Sequence, residues 1–326
     1  MGDPSLLPGM VSSSGARNVA ISVQGQWRRV PALDVQGQTF VVTGRWIKIA
    51  ALQSEQWVET EVVDPEGCVR KIREEHQSLR ADIFTFAQKL PSITPRYRYS
   101  LEFESIAVAR TGNFRDWWGG LSQVSRKNVR RSQKRGVAIC QKEFGDELIR
   151  GIAEVQNESP IRQGRKYTHY GKTLDQVSRD HSGFADRSDF ICAYYEGQII
   201  GFLKLVYRGE IASILQLNSM ANHYDKRPSN ALLAKAVELC ASKGIAYLTY
   251  GKFNYGNKSK SSIREFKERN GFEEMLVPRF YVPLTAWGAI CVRAKLYRGL
   301  HDILPQSVIA AIVAARAKWY DYAGRT

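Results

Sequence analysis

The sequence predicts a mixed α+β fold, and three observations carry the prediction. Across 326 residues, 44% are hydrophobic and 11% aromatic, enough apolar matter for a large core. The apolar pattern alternates along the chain between period two and a helical period. Residues 123–284 read, in order, helix, strand, strand, strand, helix, strand, helix, strand, which is neither a simple βαβ repeat nor a sandwich.

Taken from the start, residues 1–17 are rich in Gly, Ser and Pro and carry no element. Residues 19–63 read as strands: Phe40-Val-Val-Thr, a turn at Gly44, Trp46-Ile-Lys-Ile, then the alternating Trp57-Val-Glu-Thr-Glu-Val-Val. Residues 71–90 read as a helix with Ile83, Phe84, Phe86 and Ala87 on its apolar side, stopped by Pro91. Tyr97, Tyr99, Leu101 and Phe103 alternate as a strand. Ser125 caps a helix that ends at Gly136. A polar loop over 162–172 precedes a hairpin, 190–195 with 199–207, around Glu196-Gly197, and 211–217 forms its third strand. Pro228 opens a helix closed by Lys243-Gly244. A strand over 246–250 leads to a helix capped by Ser261 or Ser262 and ended by Gly271. The extended segments 275–277 and 279–284 are separated by Pro278. Residues 307–320 read as a further helix.

The net charge is +15, with a pI near 9.6. It is segmental: residues 110–135 hold eight basic residues and one acid, 250–270 six and two, and 286–326 six and two, while the remainder carries 27 of each sign. A localised field implies a localised anionic partner: a phosphorylated small molecule, RNA or a membrane surface. The longest apolar run, 308–315, is far short of the ~18–20 residues that span a bilayer. The five cysteines show no C-x-x-C pair and therefore no zinc or disulfide framework. The N-terminal segment lacks the pattern of a secretion signal, and Leu6 stands where myristoylation needs Ser or Thr. A cytoplasmic location follows as the expectation.

Several motifs bear on chemistry. Arg126 and Arg130 are four residues apart on a helix, as are Lys127 and Arg131; such like-charged pairs form either a solvated face or a phosphate contact. Gly251-Lys-Phe-Asn-Tyr-Gly256-Asn257 follows a strand and precedes a helix, yet Asn257 occupies the place where a phosphate-binding loop needs Lys, so nucleotide hydrolysis is not expected. No His has metal-ligand spacing with another His, Cys or acid, and no metal is expected. The loop 162–172, with His169 and Tyr170, is either an acceptor-binding lid or a plain connection.

The order of elements, together with Ser125-Arg-Lys-Asn-Val-Arg-Arg131, Gly136-Val137, Ile199-Ile200-Gly201-Phe202, Arg227-Pro228, Tyr250-Gly251 and above all Phe266-Lys267-Glu-Arg-Asn-Gly271-Phe272, resembles the FemAB-like branch of the GNAT-type N-acyltransferases. The likeness covers residues from about 80 to 285. It implies a tandem GNAT fold: a flexible segment 1–18, a degenerate first copy over 19–118, an acyltransferase domain over 119–285 and a helical tail over 286–326. It implies transfer of an acyl or aminoacyl group from a thioester or ester to an amine, such as an envelope or polysaccharide precursor. The donor would be an acyl-CoA, an acyl-carrier thioester or an aminoacyl-tRNA, and an acidic carrier protein or tRNA a partner. By the same likeness, Lys267 stabilises the oxyanion or holds the leaving group, and Leu217, Asn218, Lys226, Arg227, Ser229, Asn230 and Phe266 face the donor. Tyr255 is the candidate acid for the leaving group and His223 the candidate base for the amine, on loop position and chemistry. Arg126, Arg130, His169, Tyr170, Tyr250 and Lys252 are the candidate acceptor-side residues. The stretch Asp225-Lys-Arg-Pro-Ser-Asn-Ala231 departs from the glycine-rich loop of acetyl-CoA-dependent GNAT enzymes, whose glycines let the backbone approach a pyrophosphate. The rival reading is a non-catalytic RNA- or membrane-surface-binding module using the basic segments, with the tail in peripheral contact with the inner face of the membrane.

Overall fold

In the computed structural model, residues 15–23, 26–55, 61–162, 165–254 and 261–298 are described. Tyr255, the basic loop around it and the helix expected over 307–320 lie outside them. The chain divides into two units, and the division is not a single cut. The first unit comprises residues 1–53, 63–86 and 281–294, and the second comprises the remainder.

In the first unit, β1 (Arg17–Val23), β2 (Gln26–Val35), β3 (Gln38–Thr43) and β4 (Ile49–Leu52) form an antiparallel meander. Two helices follow, α1 (Pro65–Glu74) and α2 (His76–Leu79). Asp64 starts α1 by accepting the Gly67 N–H at 2.8 Å, with Pro65 in the first turn where no amide partner is needed. The chain then enters β5 (Ile83–Ala87), parallel to β4 with Ile49 opposite Ile83. Here the helix expected over 71–90 is corrected. Arg80 in the left-handed region breaks it, and every residue from 83 to 87 is buried, so the continuous apolar run is a two-sided buried strand rather than one face of a helix. The strand expected at Trp46–Ile49 begins instead at Ile49, leaving Trp46 in a bend.

The second unit contains β6 (Ser100–Arg110), α3 (Phe114–Gly120), α4 (Gln123–Lys134), β7 (Ala138–Lys142), α5 (Asp146–Asn157), the two-residue strands β8 (Ile161–Arg162) and β9 (Arg165–Lys166), and α6 (Leu174–Ser182). It continues with β10 (Ser188–Tyr195), β11 (Gln198–Arg208), β12 (Ile211–Ser219), α7 (Pro228–Ser242), β13 (Tyr247–Lys252), α8 (Ser262–Arg269) and residues 273–280 of β14 (Glu273–Pro283). Residues 281–283 and α9 (Ala286–Arg293) return to the first unit. The second unit's strands run in the order β14-β6-β13-β12-β11-β10-β7. Residues 87–118, placed by sequence in the first half, supply β6 and α3 to this unit, because β6 pairs β13 with Arg110 opposite Tyr247. β14 runs through Pro278 without a break, its carbonyl taking the Gln88 N–H at 2.9 Å. The expected hairpin, third strand and Pro228 helix all form.

Both units repeat one plan: an antiparallel meander, a helical crossover, then a strand parallel to the last meander strand. In the second unit α7 and α5 cover opposite faces of the sheet. A Cβ on Gly201 would meet Leu232 of α7, whereas the neighbouring Phe202 stacks edge-on to His181 of α6. Lys204, on the α6 side of β11, is buried; its ammonium donates to the His181 and Gly183 carbonyls at 2.7 and 2.5 Å, and burial pulls its pKa down to about 8.

The cap of α4 is Ser122, three residues ahead of the expected Ser125. Ser125 stands at the third helical position, gives its amide to Ser122 Oγ and turns its own hydroxyl to the Arg269 carbonyl.

Candidate active site

The site begins with two irregular strands. β12 and β13 pair only from Ile211–Tyr247 to Ser213–Thr249. Beyond that point β12 is one residue long against β11, because Lys204 faces Gln216 while Leu205 faces Ile214, which leaves Leu215 as a bulge. β13 is likewise out of step with β6 between Thr249 and Lys252, where Gly251 has a φ of +56°. A bulge bends its strand, so two bulges just past the last shared pair part β12 from β13. The parted strands leave a slot in which alternate backbone groups of residues 215–219 have no strand partner among the described residues.

Register assigns the slot residues to faces. Gln216 and Asn218 lie opposite Lys204 and Phe202 and so share the α5/α6 side; Leu217 and Ser219 lie opposite Leu203 and Gly201 and share the α7 side. Ser219 Oγ meets Ser229 Oγ at 2.8 Å, which ties the end of β12 to the first turn of α7. That helix starts from Arg227, itself at φ +59°, with no side-chain cap. Asn230 is buried and donates to Asn270 Oδ1 at 3.0 Å. Lys226 lies over the Tyr195 ring at 4.5 Å and beside Asp225, which also takes an ion pair from Arg135; these cations hold the Asp225 carboxyl below its ordinary range against the opposing effect of desolvation.

On the other arm, α8 is capped by Ser261, which accepts the Arg264 N–H at 3.2 Å. Phe266 packs partly buried against the core, and Lys267 is fully buried. The Lys267 ammonium donates to the Lys252 carbonyl at 2.6 Å and lies 4.6 Å from the centre of the Tyr250 ring. Burial brings its pKa down to about 8, so it is an ammonium at neutral pH that sheds its proton more readily than a surface lysine. Tyr250, Lys252 and Lys267 therefore form one cluster at the β13 bulge. The Lys252 side chain itself is exposed.

The α5–α6 loop folds against the end of β12 through Arg162, which the sequence reading did not single out. Its guanidinium donates to Val155 O at 2.6 Å, Ser219 O at 3.3 Å and Asn218 Oδ1 at 3.5 Å, lies 4.5 Å from the Tyr167 ring centre and pairs with Glu158 at 3.7 Å. Glu158 in turn accepts the Ala221 and Asn222 amides at 2.7 and 2.8 Å, fixing the turn that follows β12. Neither residue carried a sequence signal for the site, since the partners that tie them to the end of β12, Asn218 and Ser219 for Arg162 and Ala221 and Asn222 for Glu158, are 56 to 64 positions away. Replacing Arg162 by Ala leaves Glu158 without its cation and is expected to cost about 2 kcal/mol in urea unfolding, with Lys recovering only part of it.

Among the described residues, four buried polar atoms around this end of the unit have no hydrogen-bond partner: Tyr167 Oη, His169 Nδ1, Gln216 Oε1 and His223 Nδ1. Unsatisfied buried groups are uncommon and mark places where a ligand's polar atoms can bind. His169 is kept neutral chiefly by burial, reinforced by Lys172 and opposed by Asp180. His223 lies against Tyr195, with 5.6 Å between ring centres, and Tyr170 is exposed at the loop tip. Arg126 and Arg130 stand apart from this cluster, on α4: Arg126 donates to the Trp118 and Gly119 carbonyls at 3.3 and 2.9 Å, and Arg130 lies 5.7 Å from the Trp118 ring centre.

No protein-family model and no curated protein matches the sequence. Solved structures do match. FemX is similar at 10% identity over 81% of this chain and 87% of that one, with a TM-score of 0.53. L-PGS from Bacillus licheniformis is similar at 13% identity over 78% and 85%, with a TM-score of 0.51. A C-terminal domain from Agrobacterium fabrum, named for lysylphosphatidylglycerol synthetase, is similar at 13% identity over 80% and 86%, with a TM-score of 0.54. Likeness at such identities is a likeness of fold, and the fold of this chain is the tandem, FemAB-like form of the GNAT-type acyltransferase fold.

Proposed function

We propose that this protein is an N-acyltransferase that moves an acyl or aminoacyl group from a phosphate-bearing thioester or ester to an amine. The observation that carries the reading is the slot between the two bulged strands with the buried Lys267 ammonium at its β13 arm. In the slot, strand amides freed from pairing hold the donor carbonyl. The amine nitrogen attacks the carbonyl carbon, and the oxyanion that forms is met by those amides and by Lys267. Collapse breaks the carbon–sulfur or carbon–oxygen ester bond, and the leaving thiolate or alkoxide takes a proton, for which Tyr255 is the assigned acid. The proton lost by the amine passes to His223, whose unpaired Nδ1 suits a base.

The first turn of α7 supports an ester or carrier-bound donor over free acetyl-CoA. Pro228 has no amide to offer, Ser229 Oγ is taken up by Ser219, and Arg227 and Lys226 are left as the phosphate-binding groups. The cytoplasmic face and an envelope or polysaccharide precursor as acceptor complete the reading.

The test is incubation with labelled acyl-CoA, acylated carrier protein and aminoacyl-tRNA in the presence of amine acceptors, followed by isolation of an amide product. Transfer from one of the donors is the expected result. Salt-sensitive binding of RNA with no amide formed from any donor would overturn the proposal in favour of a binding module.

A further inference from the structure

The first unit carries a surface feature that acyl transfer does not use. Trp46, in the bend between β3 and β4, is 83% exposed, and Trp287 and Ile290, one turn apart on α9, are 45% and 57% exposed. Large apolar side chains so open to water are unusual in a fixed segment, and this segment is fixed. Lys48 gives its amide to Asp82 Oδ2 at 2.9 Å, Asp82 returns its own amide to the Lys48 carbonyl at 2.7 Å, and the Trp287 indole donates to the Trp46 carbonyl at 3.2 Å. Thr285 caps α9 by accepting the Gly288 amide at 2.9 Å and donates its hydroxyl to Asp82 Oδ1 at 3.1 Å. A Cβ on Gly288 would lie 1.9 Å from the Asp82 carbonyl oxygen, so α9 sits directly on the entry to β5, with Gly288 and Cys291 inward and Trp287 and Ile290 outward.

An open pocket of about 800 Å³ lies beside the two indoles, lined also by Lys48, His76, Arg80 and Asp82. Both Asp82 oxygens are engaged, by the Lys48 amide and the Thr285 hydroxyl, and the remaining charged groups of the lining are cationic. Arg45, next to Trp46, and Arg293, at the end of α9, are exposed and add to the same sign.

The geometry points to this face as a docking surface for an anionic phospholipid bilayer. Lys48 and Arg80 take a lipid phosphate in the pocket, while Trp46, Trp287 and Ile290 enter the headgroup boundary. Indoles rest at that depth because their ring is apolar and their N–H polar, and cations beside them are drawn to the anionic surface. Ile290 extends the ridge with a side chain that has no stacking use toward a nucleobase, which favours a bilayer over single-stranded nucleic acid. The surface belongs wholly to the first unit and does not depend on the transfer reaction.

Sedimentation of the full chain with vesicles tests the assignment. Binding is expected to phosphatidylglycerol–phosphatidylcholine vesicles and not to phosphatidylcholine alone, and it should weaken as salt rises. The double variant Trp46→Ala, Trp287→Ala is expected to lose about tenfold or more in partitioning. Lys48→Ala and Arg80→Ala should each lose about fivefold. Melting temperatures of these exposed-site variants should stay near that of the parent, which separates lost docking from lost folding. Absence of binding to the anionic vesicles, or equal binding by the tryptophan double variant, overturns the proposal. Capture of inorganic phosphate or single-stranded RNA without vesicle binding, lost in the same variants, overturns it equally and reassigns the pocket.

Discussion

Lys267→Met is expected to lower the rate of acyl transfer by about two to three orders of magnitude, the usual loss when one preorganised donor to an oxyanion is removed. Lys267 is fully buried with its ammonium held by the Lys252 carbonyl and the Tyr250 ring, so it is in place before any donor arrives. Its pKa of about 8 adds a pH signature. Activity that needs the ammonium falls as pH rises through 8, and Lys267→Arg, which stays charged, should move that alkaline limb upward while keeping part of the rate. A rate that instead rises through pH 8 would make the lysine a base and overturn its role as a cation. Stability carries the opposite sign. The folded-state pKa lies below the unfolded value of 10.5, so between these pH values the unfolded chain binds the extra proton. The stability of the parent relative to Lys267→Met should therefore rise between pH 8 and 10, the cost of burying the charge being complete below pH 8. Urea unfolding of the two proteins at both pH values measures the difference.

Much of this arrangement was legible because its punctuation is local. Pro228, Ser261, Gly244 and Gly271 mark where α7 and α8 start and stop, and those helices stand where they were expected. Two helices of the second unit were missed all the same: α5, which starts after Gly145 with no side-chain cap, and α6, although Thr173 and Gln176 form a capping box at its start. β5 was taken for helix because an unbroken apolar run has the same composition in either state, and only its burial on both faces decides. The bulge at Leu215 that opens the slot has no composition of its own; on the opposite arm Tyr250-Gly251 does mark one. Arg162 and Glu158 are found only in three dimensions. The arginines of the basic segment 110–135 were read as either a solvated face or a phosphate contact; in the structure Arg126 also donates to the carbonyls at the end of α3 and Arg130 lies over Trp118. That part of the +15 helps build the second unit.

Gly271 gives the F-K-x-x-x-G-F motif a structural use beside the role proposed for its lysine. Gly271→Val is expected to cost about 3 kcal/mol, the sum of a left-handed backbone imposed on a branched residue and a forced contact. Gly271 has a φ of +77°, and a Cβ there would lie 2.8 Å from Trp117 Nε1. That indole donates to the Asn270 carbonyl at 3.2 Å, Asn270 in turn holds Asn230 of α7, and the Arg269 carbonyl takes the Ser125 hydroxyl of α4. The motif thus seats the end of α8 against three other helices, and α8 is the element that bears Lys267. Gly271→Asn separates the two costs, because Asn tolerates the left-handed region but still meets Trp117; about 2 kcal/mol should remain. Gly136 is the control. Its φ is +79°, yet the nearest atom to a Cβ is 3.8 Å away, so Gly136→Asn should cost under about 1 kcal/mol. If Gly271→Asn and Gly136→Asn unfold at the same urea concentration, the anchor is refuted. If they differ as expected, Gly271→Asn should also lose transfer rate under conditions where it remains folded, because displacing the end of α8 moves the lysine away from the β13 bulge.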